Sequence, residues 1–411
     1  MDLLSNCSSS TQTYVDNYFR IFEPLHPIFD PDTPGHGVVL FDISSPPSSV
    51  EDLVKLAQYL IVLGLGCSAT TGTQANSTEF YHAAEACLMK TPFMFRPSLA
   101  TLRTLCLMVM TKRVANATCW AVDASWSLAG LMIRLAVMLG LHHTSCDCSE
   151  EDEVGWADWH ACRKLWTTIV YIDIEISILT GMSSLLQKDE MVSCHPLPDP
   201  SLLGNHVSQY DDPLYNTFPL IMEVEDKVNS KSSNLTYEEA VQYNTIVRQL
   251  MTTVVNTETG LRRTALEIFF RRVLLVLHRK FAHLPESPFD YPISYWSSLE
   301  CSLALLVHQH GMLEGGDAGL LEVGRAFMLD FFAAALTACI HVLREDAPLS
   351  AAADALDGAI PPRQTILETL RSSVVIWGSQ QRKSLCIRSG YSLLKTIVEK
   401  IPDETPSLLC I

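Results

Sequence analysis

The chain has 411 residues, 48% of them hydrophobic, which is ample for a large buried core and excludes disordered, collagen-like and low-complexity classes. Its 46 acids against 29 bases give a formal net charge of −17. No basic run exceeds Arg-Arg or Arg-Lys, so the chain on average repels nucleic acid, whose binding needs clustered Lys and Arg.

The 13 cysteines are odd in number, and residues 1–20 hold Asp2, Asp16 and no apolar run. A secreted disulfide framework is therefore not expected, and a reducing compartment is. Cys67, Cys106, Cys119, Cys301 and Cys339 lie in apolar stretches, where a free thiol acts as a small core residue. No run of about 18 apolar residues is present, so no membrane span is expected. The best approach to one, Met328 to Leu343, is interrupted by Asp330 and His341 and reads as a buried core helix.

In chain order, Tyr14 to Phe22 forms a short amphipathic helix, stopped by Pro24, Pro27, Pro31 and Pro34. Helical spacing then recurs at about 50–66, 78–90, 98–113, 118–141 and 153–180. In Ala121 to Leu141 the polar residues Asp123, Ser127 and Arg134 share one narrow strip with Gly130, so the helix is buried on most sides. Gly140 is placed to stop it. The acid run Asp147 to Asp158 reads as a solvated loop and helix start, with Ser149 and Asp152 as a capping box.

From Arg163 to Thr180 one face collects Leu165, Trp166, Ile169, Ile172, Ile176 and Leu179, and Asp173 sits inside that face. A buried carboxylate needs a partner, and Arg134, alone among bases on its strip, is the first to try. Trp166 is expected in the core. Residues 196–217 and 346–362 read as connections. Between and after them helices are predicted at about 214–229, 236–259, 264–283, 293–313, 318–345, 362–377 and 381–400. These elements make the fold class all-α, a large irregular multi-helix domain covering 1–411.

Dinucleotide, P-loop, zincin and nucleophile-elbow motifs are absent, so no catalytic or cofactor-binding residues are assigned. The nearest approach to a metal site is His142-His143-Thr-Ser-Cys146-Asp-Cys148, but zinc sites favour spaced pairs and C-x-C is an unusual one. A loop is the expected reading.

Several segments together resemble the fungal-specific transcription factor domain, the middle regulatory region of zinc-cluster regulators. Tyr14 to Pro31 (YVDNYFRIFEPLHPIFDP) is similar to its opening, Tyr81 to Leu88 to a following helix, and Trp126 to His142 (WSLAGLMIRLAVMLGLH) to its central pattern. Cys162 to Pro200 carries the clearest likeness, in Cys162-Arg-Lys-Leu-Trp166, Tyr171-Ile-Asp173, Thr180-Gly181 and Leu197-Pro-Asp-Pro200. Phe269 to Phe281 (FFRRVLLVLHRKF) resembles a later helix, so the core motifs fall within 14–200 and 264–315. The sequence departs from the pattern at Thr167, Ile174 and Met182-Ser183. No two cysteines stand as C-x2-C and the domain opens by residue 14, so the six-cysteine cluster that reads DNA in this family is expected to be either lost or absent from this version of the chain.

The resemblance implies a nuclear transcription regulator without its own DNA-binding module, acting through protein partners or a small-molecule effector. Control of a metabolic, secondary-metabolite gene cluster would fit such a regulator. An enzyme of cyclase or isomerase type, or a small-molecule sensor on the same helical scaffold, is the alternative. The ligand spacing predicts that the purified protein carries no stoichiometric zinc; elemental analysis finding one or more tightly held ions per chain would refute this.

Overall fold

A computed structural model describes residues 2–7, 9–30, 35–38, 47–70, 74–115, 120–142, 153–186, 212–229, 235–314, 318–344 and 362–402. The first helices are α1 (Asp2–Asn6), α2 (Thr11–Ile21), α3 (Val50–Ser68), α4 (Gln74–Met89), α5 (Leu99–Ala115), α6 (Trp120–Met138) and α7 (Glu153–Thr180). After a 3-10 turn (Tyr215–Thr217) come α8 (Phe218–Asn229), α9 (Tyr237–Thr257), α10 (Gly260–Ala282), α11 (Ser287–Asp290) and α12 (Pro292–Glu314). The chain continues through α13 (Ala318–Ala326), α14 (Met328–Leu343), α15 (Arg363–Gln380) and α16 (Leu385–Val398). Among the described residues there is no strand, and the fold is all-α.

Local chemistry explains the ends. At α3 the Ser49 hydroxyl accepts from the Asp52 N–H, and the Asp52 carboxylate accepts in return from the Ser49 N–H, each at 3.0 Å. Thr236 and Glu239 repeat this capping box at α9. Gly140 and Gly181, at φ 77° and 71°, take the left-handed conformation just past α6 and α7, where a side chain would be strained.

In the N-terminal half α3 packs against α2, α4 and α5, and α5, α6 and α7 follow side by side. Gly66 is required there, because a Cβ on it would stand 1.8 Å from the Tyr14 carbonyl oxygen of α2. In the C-terminal half α10 packs on α9 and α12, α12 on α14, and α14 on α15 and α16. Contacts of α7 with α8 and α10, and of α13 with α5, join the halves. Buried apolar residues from Leu4 to Ile401 form one cluster, which includes Trp166 at 1% exposure and Cys67, Cys106, Cys301 and Cys339. No single described helix is long and apolar enough to cross a membrane.

Three differences from the expected elements stand out. The short helices α1 and α11 are additional. The helix predicted over 318–345 is two helices meeting at 68° around Phe327. No proline causes the break. The Phe327 N–H bonds to Gly324 O in a tightened turn, and Arg113 donates to the Ala326 carbonyl at 3.4 Å, replacing a lost helical partner. The expected capping box at Ser149, the rest of the 143–148 cluster, Cys119 and most of both expected connections lie outside the described residues.

The break places Asp330 in the first turn of α14, where both its oxygens accept from Arg272 of α10. Removing one member strands a buried charge, so Arg272→Met and Asp330→Leu should each cost about 3–5 kcal/mol, whereas the double replacement should cost much less than their sum. Urea denaturation of the three variants tests this, and additive losses would refute the pairing.

Candidate functional site

The centre of the molecule holds ionisable groups that the apolar periodicity does not account for. Glu175 lies on α7 at 1% exposure, and Arg113 of α5 grips it with two bonds of 2.5 and 2.9 Å. His26, on the turn after α2, bonds through Nε2 to the same carboxylate at 2.8 Å. Burial pushes the Glu175 carboxyl up, but Arg113 and His26 outweigh it and hold it far below the usual carboxylate range. Burial lowers His26, against the pull of Glu175, and because a carboxylate only accepts, the ring donates its Nε2–H to it. Arg272 extends the network, donating to the Glu175 carbonyl at 3.3 Å while its fork holds Asp330.

The turn carrying His26 is itself shaped by Glu23. That carboxylate accepts from the Ile28 and Phe29 N–H groups, both at 2.7 Å, and from the Tyr18 hydroxyl at 2.6 Å. Thr168 then donates to the Pro27 carbonyl at 2.6 Å, and Arg262 to the Leu25 carbonyl at 2.5 Å. Residues 23–29 thus form a docked turn against α7 and α10.

Asp173 is buried at 1% exposure, as its place in an apolar face implies, but its partner is not Arg134. Arg134 is exposed on α6. Asp173 instead accepts from the Ser184 hydroxyl at 2.7 Å and the Leu185 N–H at 3.2 Å. The reversal at Gly181 folds the chain back along its own helix, which helical periodicity does not register. The same segment covers part of the α6 strip: Trp126 donates to the Ser183 carbonyl at 3.4 Å, and Leu185 lies over Gly130. Glu225 of α8 approaches Ser184 from the other side and accepts from its N–H at 3.2 Å. Burial, opposed by Asn229 and the Ser184 N–H, pushes the Glu225 carboxyl up to about 7, and burial raises Asp173 as well.

Beside the network a cleft of about 270 Å³ opens between α10 and α14, above α12. Leu275, Val276 and Arg279 of α10 form one wall, and Leu329, Ala333 and Thr337 of α14 the other. Arg272 and Asp330 line it as an ion pair already complete, and no tyrosine lines it. The carboxylate in this cleft is committed to Arg272, and exposed His283 stands at the rim. The described residues contain no group of three His, Cys, Asp or Glu placed to hold a metal ion.

Comparison with known proteins bears on the same elements. The profile of the fungal specific transcription factor domain matches residues 15–267, more than half of the chain. The chain belongs to this family. The matched region of this fungal specific transcription factor domain contains His26, Arg113, Asp173, Glu175 and Glu225, whereas Arg272, Asp330 and most of the cleft lie beyond it. An uncharacterized transcriptional regulatory protein of Schizosaccharomyces pombe is 28% identical over 188 residues, 45% of this chain and 23% of that protein. The Zn(2)-C6 fungal-type transcription factor mpsB of Macrophomina phaseolina is 21% identical over 318 residues, 69% of this chain and 43% of that protein. The pyrrolocin cluster transcription factor fsdR of a fungal species is 22% identical over 316 residues, covering 66% and 40%. The chain therefore spans less than half the length of these relatives. No solved structure matches it.

The carboxyls around Ser184 give this domain a pH signature. Between the ordinary value of 4.5 and about 7 the native Glu225 keeps a proton that the unfolded chain releases. Its contribution is therefore complete below the unfolded value and is lost as pH rises through 7. Glu225→Gln should flatten the fall in stability between pH 5 and 7 without abolishing it, because Glu23, also raised to about 7 by burial, remains. Thermal melts across that range check this, and an unchanged slope would contradict it.

Proposed function

We propose that this chain is the regulatory unit of a fungal transcription regulator and works in the nucleus through protein contacts, with a small-molecule effector tuning it. The observation that carries this reading is the family match over residues 15–267. Support comes from relatives named as transcription factors, one of them for a biosynthetic cluster, which suits control of secondary metabolism. In this reading residues 1–411 act as one helical unit. Direct DNA contact is left to a partner factor, since the net charge is −17 and phosphate neutralisation supplies most non-specific affinity. The buried ion pairs serve as structure that keeps the helices in register.

Two assays test the proposal. The purified chain should show no sequence-selective duplex binding at physiological salt, and a sub-micromolar electrophoretic shift would refute this. Fused to a heterologous DNA-binding module, the chain should raise or lower reporter transcription. An inert fusion, unresponsive to a co-expressed partner factor or to cell extract, would move the assignment to a sensor or enzyme.

A further inference from the structure

We propose that the cleft between α10 and α14 binds a small amphipathic carboxylate, a monoacid with an aliphatic or aromatic body. Its carboxylate would sit at Arg279 and His283, and its body would run inward toward the Arg272–Asp330 pair. This inference goes beyond the transcriptional reading and does not depend on it. The residues that α10 and its C-terminal cap turn toward the cleft are Arg272, Leu275, Val276, Arg279 and the cap residue His283. Their spacing of three, four, seven and eleven residues from Arg272 places them on one helix face. From Arg272 to Arg279 that face runs for about 10 Å, with only apolar side chains between.

The two ends differ in how their charge is met. Arg272 is saturated, with its fork on Asp330 and a further bond to the Glu175 carbonyl. Arg279 is exposed and forms no ion pair among the described residues. The one acid lining the cleft is Asp330, already taken. The mouth is therefore net positive. His283 reports the same field: burial lowers it, and Arg279 and then Arg344 lower it further. Arg344 is occupied by the Leu284 and Pro285 carbonyls, which leaves Arg279 to meet an anion.

The interior asks for apolar matter. Ser298 on the floor is bonded to the Tyr295 carbonyl at 3.0 Å and to His341 at 2.7 Å, and Thr337 donates to the Ala333 carbonyl at 2.9 Å. Ile178 and Leu179 of α7, with Leu305 of α12 and Leu329 of α14, supply the remaining apolar surface. The small side chain of Ala333 keeps the space open. A volume of about 270 Å³ lies just below the range of ligand pockets, which run from roughly 300 to 1,000 Å³, and so limits the ligand to a small one.

Isothermal titration of the full chain with octanoate, octan-1-ol and octylamine tests the assignment. Octanoate should bind saturably at one site, octanol about tenfold more weakly, and octylamine not at all. Ala333→Trp fills the cleft from an exposed position and should abolish octanoate binding. Arg279→Glu, also at an exposed position, should weaken octanoate at least tenfold and admit octylamine. Circular dichroism melts of both variants confirm that the fold is kept. The proposal is overturned if octanoate fails to saturate in the millimolar range, if the three probes bind alike, or if Ala333→Trp leaves octanoate affinity unchanged.

Discussion

Arg113 and Arg272 each face a buried carboxylate, Glu175 and Asp330, and Glu175 ties the two pairs together by accepting from Arg113 through its side chain and from Arg272 through its carbonyl. Removing such charges from water is costly, and a buried pair commonly gains no net stability over apolar side chains of the same size. What the network adds is register. Its members come from α5, α7, α10 and α14, and His26 brings in the turn after α2. Slippage of any one helix by a single turn would leave a charge unpaired in the core. Ion pairs fix helix register more strictly than apolar packing alone, since a charge stranded in the core is costly.

Most helices were legible because each presents a broad apolar face with polar punctuation, and α7 was expected to within its observed ends. Gly140 and the prolines after Phe22 also told their roles directly. The split at Phe327 was hidden, since 318–345 is continuously apolar by period and contains no proline or interior glycine pair. The decisive feature is tertiary: Asp330 must reach Arg272, and Arg113 supplies the donor that the broken turn needs. Asp330 itself did stand out as an interruption of the apolar run. Its partner could not be read from one helix alone.

The site was legible in kind more than in pairing. Asp173 was marked as a carboxylate in an apolar face, and it is buried. Helical geometry offered Arg134 as a partner because periodicity ranks positions around an axis and says nothing of loops. The true partners lie 11 and 12 residues downstream, on a segment that Gly181 turns back along α7. Two residues beyond Asp173, Glu175 interrupts the same apolar helix, and the basic pairs Lys112-Arg113 and Arg271-Arg272 each interrupt an apolar segment. Charges inside apolar runs must find one another, and that rule, applied to the whole chain at once, would have pointed to the network.

The family region ends at residue 267, inside α10, so the same helix that closes the matched part also forms the first wall of the cleft. Arg272 stands just past that limit with one side on the Glu175 carbonyl and the other on Asp330. A molecule lying in the cleft therefore touches the group that joins the two halves. Contact alone does not make a switch, because a ligand shifts an equilibrium only by its difference in affinity between two arrangements. At the Phe327 break α14 is anchored at its start by Asp330 and not by a continuous helix from α13. Any ligand that fits α10 and α14 better when they are held at one separation would act on that anchor, and through Glu175 on Arg113, His26 and the N-terminal turn. The physical route from cleft to family region is then the Arg272 bond to the Glu175 carbonyl, and the Glu175 side chain carries it on to Arg113 and His26.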